Sequence, residues 1–116
     1  MAALLDNTSK EFQIKVLLGD GRISPLHWAS QFGCLEVARI LLSRAEGIDQ
    51  GLKEKILSGK DACNGNTPLH VASLDLRNAR IVKLLIWNGA NLRAQNNQGL
   101  NPYEFATKTN QSQIKP

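Results

Sequence analysis

The 116-residue chain has few of the residues that build covalent frameworks or long hydrophobic segments. Its two cysteines, Cys34 and Cys63, form neither a disulfide framework nor the paired spacing of a zinc site. No apolar run approaches the roughly 18 residues of a membrane-spanning helix, and residues 1–7 lack the basic and apolar regions of a secretory signal. We therefore expect free thiols, no direct membrane insertion and a reducing, intracellular location, in the cytoplasm or the nucleus.

Residues typical of catalytic centres are equally sparse. The sequence has no glycine-rich phosphate loop, nucleophile elbow or Cys-x-x-Cys pair, and its carboxylates are too scattered for a paired acid–base site. The only histidines, His27 and His70, lack companions suited to a metal ion. We expect no enzymatic activity, no metal and no other cofactor, although a larger parent protein could carry an enzyme elsewhere.

The overall composition is that of one soluble globular domain. Hydrophobic residues make up 42% of the chain, charged residues 21% and aromatic residues 5%, and the length allows one modest core. The net charge of +4 is spread along the chain without a run of like charges. It is therefore compatible with an acidic partner but does not argue for one.

Three segments of the chain resemble one another. They cover residues 24–30, 67–73 and 101–107 and read SPLHWAS, TPLHVAS and NPYEFAT. The second and third start about 34 residues apart, and the first lies about ten residues further away than this period requires. Each segment begins with a good helix-capping residue followed by proline, which is favoured at the first helical position. Each segment therefore predicts the start of a helix.

A second helix is expected to follow each of the first two segments. Apolar residues recur at helical spacing from Leu35 to about Arg44 and from about Ala79 to Asn88. Gly33 precedes the first of these helices, and Gly89 ends the second. Polar, turn-rich links then lead to the next segment, so the predicted unit is helix, turn, helix and link.

This pattern resembles the ankyrin repeat, whose units carry Thr-Pro-Leu-His-x-Ala. The resemblance implies an all-α solenoid of stacked helix-turn-helix units with projecting hairpin loops. It also implies that His27 and His70 belong to a hydrogen-bond network between a helix start and the neighbouring loop. Glu104 replaces this histidine in the third unit, where its spacing predicts a capping box with Asn101. Trp28 is expected to pack between units.

The predicted organisation is a single domain with one interruption. Its parts are an N-terminal capping helix or degenerate repeat (1–22), repeat 1 (23–46), an insertion (47–60), repeat 2 (61–94) and a partial third repeat or cap (95–116). In the insertion, Ile48, Leu52 and Ile56 are spaced by four, which indicates a short amphipathic helix or an extended finger on the repeat edge. The simpler interpretation is a tolerated loop.

The resemblance also implies where a partner would bind. In ankyrin proteins contacts come mostly from the hairpin tips and the exposed end of the first helix, which correspond here to Ile23, Gln31, Phe32, Cys63, Asn64, Asn66, Leu74, Asp75, Asn97, Gln98, Leu100 and Lys108. Phe32, Leu74 and Leu100 place apolar side chains where solvated ones are expected and would form a stripe of anchors along one groove. Single exposed apolar residues are, however, ordinary.

Trp87 falls at a position of the second helix that is usually polar. It is either covered by the insertion, onto which Ile48, Leu52 or Ile56 would dock, or it is a second contact surface.

The leading functional hypothesis is a scaffold that binds an intracellular protein through its hairpin tips and concave groove, as a targeting or regulatory module of a larger protein. The chain would be a monomer or would self-associate weakly through an uncapped end. The alternative is a nucleic-acid-associated regulatory domain that uses the second-helix cations Arg39, Arg44, Arg77, Arg80 and Lys83. Aromatic residues are not interleaved with these cations, so a solvated helix surface is the simpler interpretation and a nucleic-acid partner is not expected.

Overall fold

The computed structural model describes residues 15–19, 23–75 and 78–114. Within these ranges the regular elements are helices: α1 (Pro25–Phe32), α2 (Leu35–Ile48), α3 (Gln50–Ser58), α4 (Pro68–Ala72), α5 (Ala79–Trp87) and α6 (Pro102–Ile114). Residues 15–18 are also helical, and Leu17 belongs to the core. The remainder of the predicted N-terminal segment 1–22, and Arg77, lie outside the described residues.

The first helix of each unit begins where the sequence predicts. Ser24 caps α1 and Thr67 caps α4, each with its side-chain oxygen accepting a hydrogen bond from a backbone N–H of the first turn. At α6 the Glu104 N–H donates to Asn101 Oδ1 over 2.8 Å, and the Asn101 N–H donates to Glu104 Oε1 over 3.0 Å. The predicted capping box of the third unit is thereby confirmed.

The helices form two layers. α1, α4 and α6 pack side by side as an inner layer, and α2 and α5 pack behind them as an outer layer. The small residues Ala29 and Ala72, 3% and 0% exposed, lie where the two layers meet. Larger side chains fill the rest of this interface, namely Leu26, Leu42, Leu69, Ile81 and Leu85. The layers share one core, which holds the inner helices in fixed register.

The segment between the first two units is part of this core. α2 continues to Ile48 instead of ending near Arg44, and Asp49 then caps α3 by accepting a hydrogen bond from the Gly51 N–H over 3.1 Å. α3 packs against α2 and α4. Its apolar face is buried, with Leu52, Ile56 and Leu57 at 3%, 1% and 3% exposure. The amphipathic helix is therefore the correct interpretation, and the interpretation as a loop is wrong.

Removal of one side chain tests whether α3 supports the fold. We expect Ile56→Ala to lower the free energy of unfolding by about 2–5 kcal/mol, because it leaves a cavity beneath α3. The exposed Glu54 of the same helix provides the control, and Glu54→Ala should change that free energy by less than about 0.5 kcal/mol. Urea unfolding followed by circular dichroism measures both values. Equal stability of the two variants would show that α3 is dispensable.

Candidate interaction surface

The position of α1 depends on a hydrogen-bonded imidazole. His27 Nδ1 lies 2.7 Å from Ser24 Oγ and 3.4 Å from the Ser24 backbone nitrogen. Its Nε2 lies 2.8 Å from the carbonyl oxygen of Asn66, in the link that precedes the next unit. A carbonyl oxygen only accepts, so Nε2 carries the proton and Nδ1 accepts from Ser24. The side chain thus joins the first unit to the second.

His70 repeats this arrangement one unit later. Its Nδ1 accepts a hydrogen bond from the Thr67 N–H over 3.1 Å and lies 2.8 Å from Thr67 Oγ1. Its Nε2 lies 2.8 Å from the carbonyl oxygen of Leu100. Phe105 of α6 meets the imidazole edge to face, with ring centroids 5.8 Å apart. The hydrogen-bond network implied for the two histidines is present at both positions.

This network determines what the two histidines can do. Both are buried, at 1% and 0% exposure, and burial lowers the pKa of His27 and of His70. Both ring nitrogens of each are occupied by the protein, which leaves no nitrogen for a substrate or a metal. Within the described ranges no three His, Cys, Asp or Glu side chains are grouped to hold a metal ion.

The links between units are held together by asparagine side chains. Asn96 Nδ2 donates to Asn66 Oδ1 over 2.9 Å, and Asn96 Oδ1 accepts from the backbone N–H groups of Gln98 and Leu100. Asn66 is 5% exposed. The prediction that Asn66 contacts a partner is therefore wrong, because its side chain and its carbonyl group are both used to join neighbouring units.

Sequence reasoning also missed Asn78. Its Nδ2 donates to the Ser30 carbonyl oxygen over 2.9 Å, and the residue is 6% exposed. It packs beside Gly33, which adopts a left-handed φ of 70°, and a Cβ at Gly33 would meet the Asn78 amide. A buried asparagine next to a turn glycine of the preceding unit was the available signal, but it is legible only once the units are stacked.

The predicted apolar stripe is only partly exposed. Phe32 is 58% exposed, whereas Leu74 and Leu100 are half-buried. Phe32 instead pairs with Trp28, whose ring stacks on it with centroids 4.8 Å apart and an interplanar angle of 23°. Trp28 is 51% exposed, so the prediction that it packs between units is wrong. Residues 28 and 32 lie one turn apart, on the side of α1 opposite its buried residues.

The other predicted contact residues differ in accessibility. Gln31, Cys63, Asn64, Asn97, Gln98 and Lys108 are exposed, whereas Ile23 and Asp75 are half-buried. The Asn97 N–H donates to the Asn64 carbonyl oxygen over 2.9 Å, which brings two successive link tips together. The tips and the Trp28–Phe32 stack offer amide and aromatic groups on rigid supports.

Trp87 lies on the outer layer and is 91% exposed. Leu52 and Ile56 face the core, so neither reaches it. The predicted cover by the insertion is therefore wrong, and the second alternative, an open contact surface, remains.

A cavity of about 660 Å³ lies between α4, α5 and α6. Its lining is mostly apolar and includes Leu69, Val82, Ile86 and Leu92. Leu92 and Ile86 are 55% and 40% exposed there. None of the helices in the described ranges has the length and hydropathy to cross a bilayer.

Comparison with known proteins agrees with this geometry. Two stretches, residues 22–53 and 64–97, match the family described as Ankyrin repeat, and together they cover more than half of the chain. Diacylglycerol kinase iota from Rattus norvegicus is 34% identical over 91 residues, which is 78% of this chain. The chain spans only 8% of the length of that kinase.

The histidine network predicts a pH dependence of stability. Because the folded chain holds both imidazoles neutral with a lowered pKa, the unfolded chain takes up protons first as pH falls below about 6.5. Stability should be complete above that pH and fall in acid, by at most about 1.4 kcal/mol per pH unit and histidine. Urea unfolding between pH 7.5 and 5 measures the slope.

The variant His70→Gln provides the control for this prediction, because glutamine can still donate to the Leu100 carbonyl oxygen but does not titrate. It should show a shallower loss of stability towards acid than the wild-type chain. Identical slopes in the two proteins would mean that carboxylates, and not this imidazole, carry the effect.

Proposed function

The chain belongs to the ankyrin-repeat family, and on that premise we propose that it is a scaffold that binds an intracellular protein partner. The contact surface is the exposed side of α1 together with the link tips, and the chain acts as a targeting or regulatory module of a larger protein. Ankyrin repeats in general are protein-interaction modules. The kinase activity in the name of the rat relative belongs to that protein.

One observation carries the proposal: the exposed stack of Trp28 on Phe32. The core already contains the opposite side of α1, so the two rings contribute little to packing and are available to a partner. Aromatic residues dominate interface energetics because they bury a large area with few rotatable bonds. A stacked pair also loses little side-chain freedom on binding, because its rings already restrict one another.

Polar groups next to the stack support a specific contact. Gln31 lies between the two aromatic residues in sequence and is exposed. The exposed amides at the link tips, Asn64, Asn97 and Gln98, add donors and acceptors. An aromatic centre with a polar margin is the usual composition of a protein interface.

The proposed location is the interior of the cell, in the cytoplasm or the nucleus. Cys34 and Cys63 are exposed free thiols. Exposed thiols persist in a reducing compartment and are oxidised outside it, so both residues favour an intracellular setting.

A charge placed in the aromatic stack tests the proposal. We expect Phe32→Glu to weaken partner binding by about thirty-fold or more, since anchor residues commonly contribute about 2 kcal/mol. Its free energy of unfolding should change by about 0.5 kcal/mol or less, because the ring is exposed. Val37→Glu, at a 47% exposed residue of the outer layer, is the control that adds the same charge.

The measurement is quantitative affinity capture from cell lysate, followed by titration of the recovered protein against the purified variants. A protein that the wild-type chain and Val37→Glu retain and Phe32→Glu loses supports the proposal. Retention by all three chains at equal affinity would remove the stack from the interface.

A further inference from the structure

The outer layer carries a second exposed surface that the protein-binding proposal does not use. It lies on α2 and α5, and we refer to it as the outer patch: Arg39, Ile40, Arg44, Arg80, Lys83, Ile86 and Trp87. Its apolar members are strongly exposed, with Trp87 at 91%, Ile40 at 54% and Ile86 at 40%. Trp87 buries almost none of its ring in the fold, so folding does not explain a tryptophan at this position.

The members of the outer patch are contiguous. A groove of about 480 Å³ between α2 and α5 has Leu35 and Leu84 in its lining, together with Ile86 and Trp87. The cations Arg39, Arg80 and Lys83 also line this groove.

A second hollow adjoins the groove along α2. It shares Arg39 with the groove and adds Ile40 and Arg44. The apolar and cationic groups therefore form one surface across two helices.

The charge of this surface is one-sided. Glu36 is the carboxylate that lines it, and it lies 3.2 Å from Arg39. Arg44, Arg80 and Lys83 have no carboxylate within 4.0 Å among the described residues. The sequence of α5, ARIVKLLIW, contains no acidic residue. Three cations thus remain uncompensated around an exposed indole.

We propose that the outer patch docks the protein on the surface of an anionic lipid bilayer. Tryptophan is enriched at membrane interfaces because its ring is apolar and its N–H is polar. Arginine and lysine side chains can reach lipid phosphates while their methylene groups stay on the apolar layer. Each cation near an anionic leaflet strengthens attachment, and Trp87, Ile40 and Ile86 would enter the headgroup region without crossing the membrane.

The composition of the groove favours a bilayer over a peptide. Its lining contains apolar and cationic side chains and no neutral hydrogen-bonding side chain apart from the indole N–H. Peptide and small-molecule sites fix orientation through convergent polar groups, whereas a headgroup layer requires only charge and an apolar interior. Duplex nucleic acid would satisfy the cations but would leave Ile40, Ile86 and Trp87 in water.

Sedimentation with vesicles tests the proposal. The complete 116-residue chain is mixed with vesicles of pure phosphatidylcholine, or with 30% phosphatidylserine. We expect binding to the anionic vesicles alone, weakened by added salt. Arg80→Gln should weaken it about five-fold, as loss of one cation is worth about 1 kcal/mol. Trp87→Ser should weaken it about ten-fold or more.

Two matched controls accompany these variants. Arg93→Gln removes the same charge from an exposed arginine in the link after α5, and Trp28→Ser removes the other tryptophan, on the inner layer. Both should bind anionic vesicles like the wild-type chain. Because Trp28 belongs to the surface proposed for the protein partner, the two proposals fail independently.

Tryptophan fluorescence gives a second readout. Trp28 and Trp87 are the only tryptophans, so Trp28→Phe leaves Trp87 as the sole indole and Trp87→Phe leaves Trp28. We expect anionic vesicles to shift the emission of Trp87 to the blue and to leave that of Trp28 unchanged.

Several results would overturn the proposal. These are absence of binding to anionic vesicles, equal binding to neutral ones, a blue shift confined to Trp28, or equal loss in Arg80→Gln and Arg93→Gln. Tighter binding to a 20-base-pair DNA duplex than to vesicles, lost in Arg80→Gln and retained in Trp87→Ser, would assign the patch to nucleic acid instead.

Discussion

Each junction between neighbouring units depends on one neutral imidazole that is hydrogen-bonded on both sides. His27 and His70 accept hydrogen bonds at Nδ1 from the residue that caps their own helix, and Nε2 lies 2.8 Å from a carbonyl oxygen of the next link. The same side chain therefore fixes the start of a helix and its distance from the following unit. A protonated ring would direct an N–H at the capping donor, so the junction requires the neutral form. The third unit has a local capping box at this position, in which Glu104 and Asn101 satisfy one another.

These junctions determine what the two helix layers present to solvent. With α1, α4 and α6 fixed side by side and α2 and α5 packed behind them, each layer has one face committed to the core and one left open. The open side of α1 carries the Trp28–Phe32 stack, and the open side of the outer layer carries Trp87 among uncompensated cations. We propose a protein partner for the first surface and an anionic bilayer for the second. A chain that binds both would bring its partner to a membrane surface.

Local chemistry made much of the fold predictable from the sequence. The Ser-Pro and Thr-Pro starts, the histidines and the Asn101–Glu104 pair act within one turn of a helix, and the structure confirms them. The predictions that failed depend on which elements meet in space. Trp28 was assigned to the core although no neighbouring unit covers it within the described residues, and Asn66 was assigned to a partner although Asn96 of the next link binds it. The spacing of apolar residues indicated α3 as a helix, but only its packing shows that the insertion belongs to the core.

The protonation state of the two imidazoles tests the central claim most directly. Long-range proton–nitrogen correlation spectra of the nitrogen-15-labelled chain at pH 7 distinguish the two neutral tautomers and the imidazolium ion. The structure requires both histidines to be neutral with the proton on Nε2, and requires those protons to exchange slowly with water because each is buried in a hydrogen bond. A proton on Nδ1 at either residue, or a charged ring at pH 7, would contradict the account of how the units are joined.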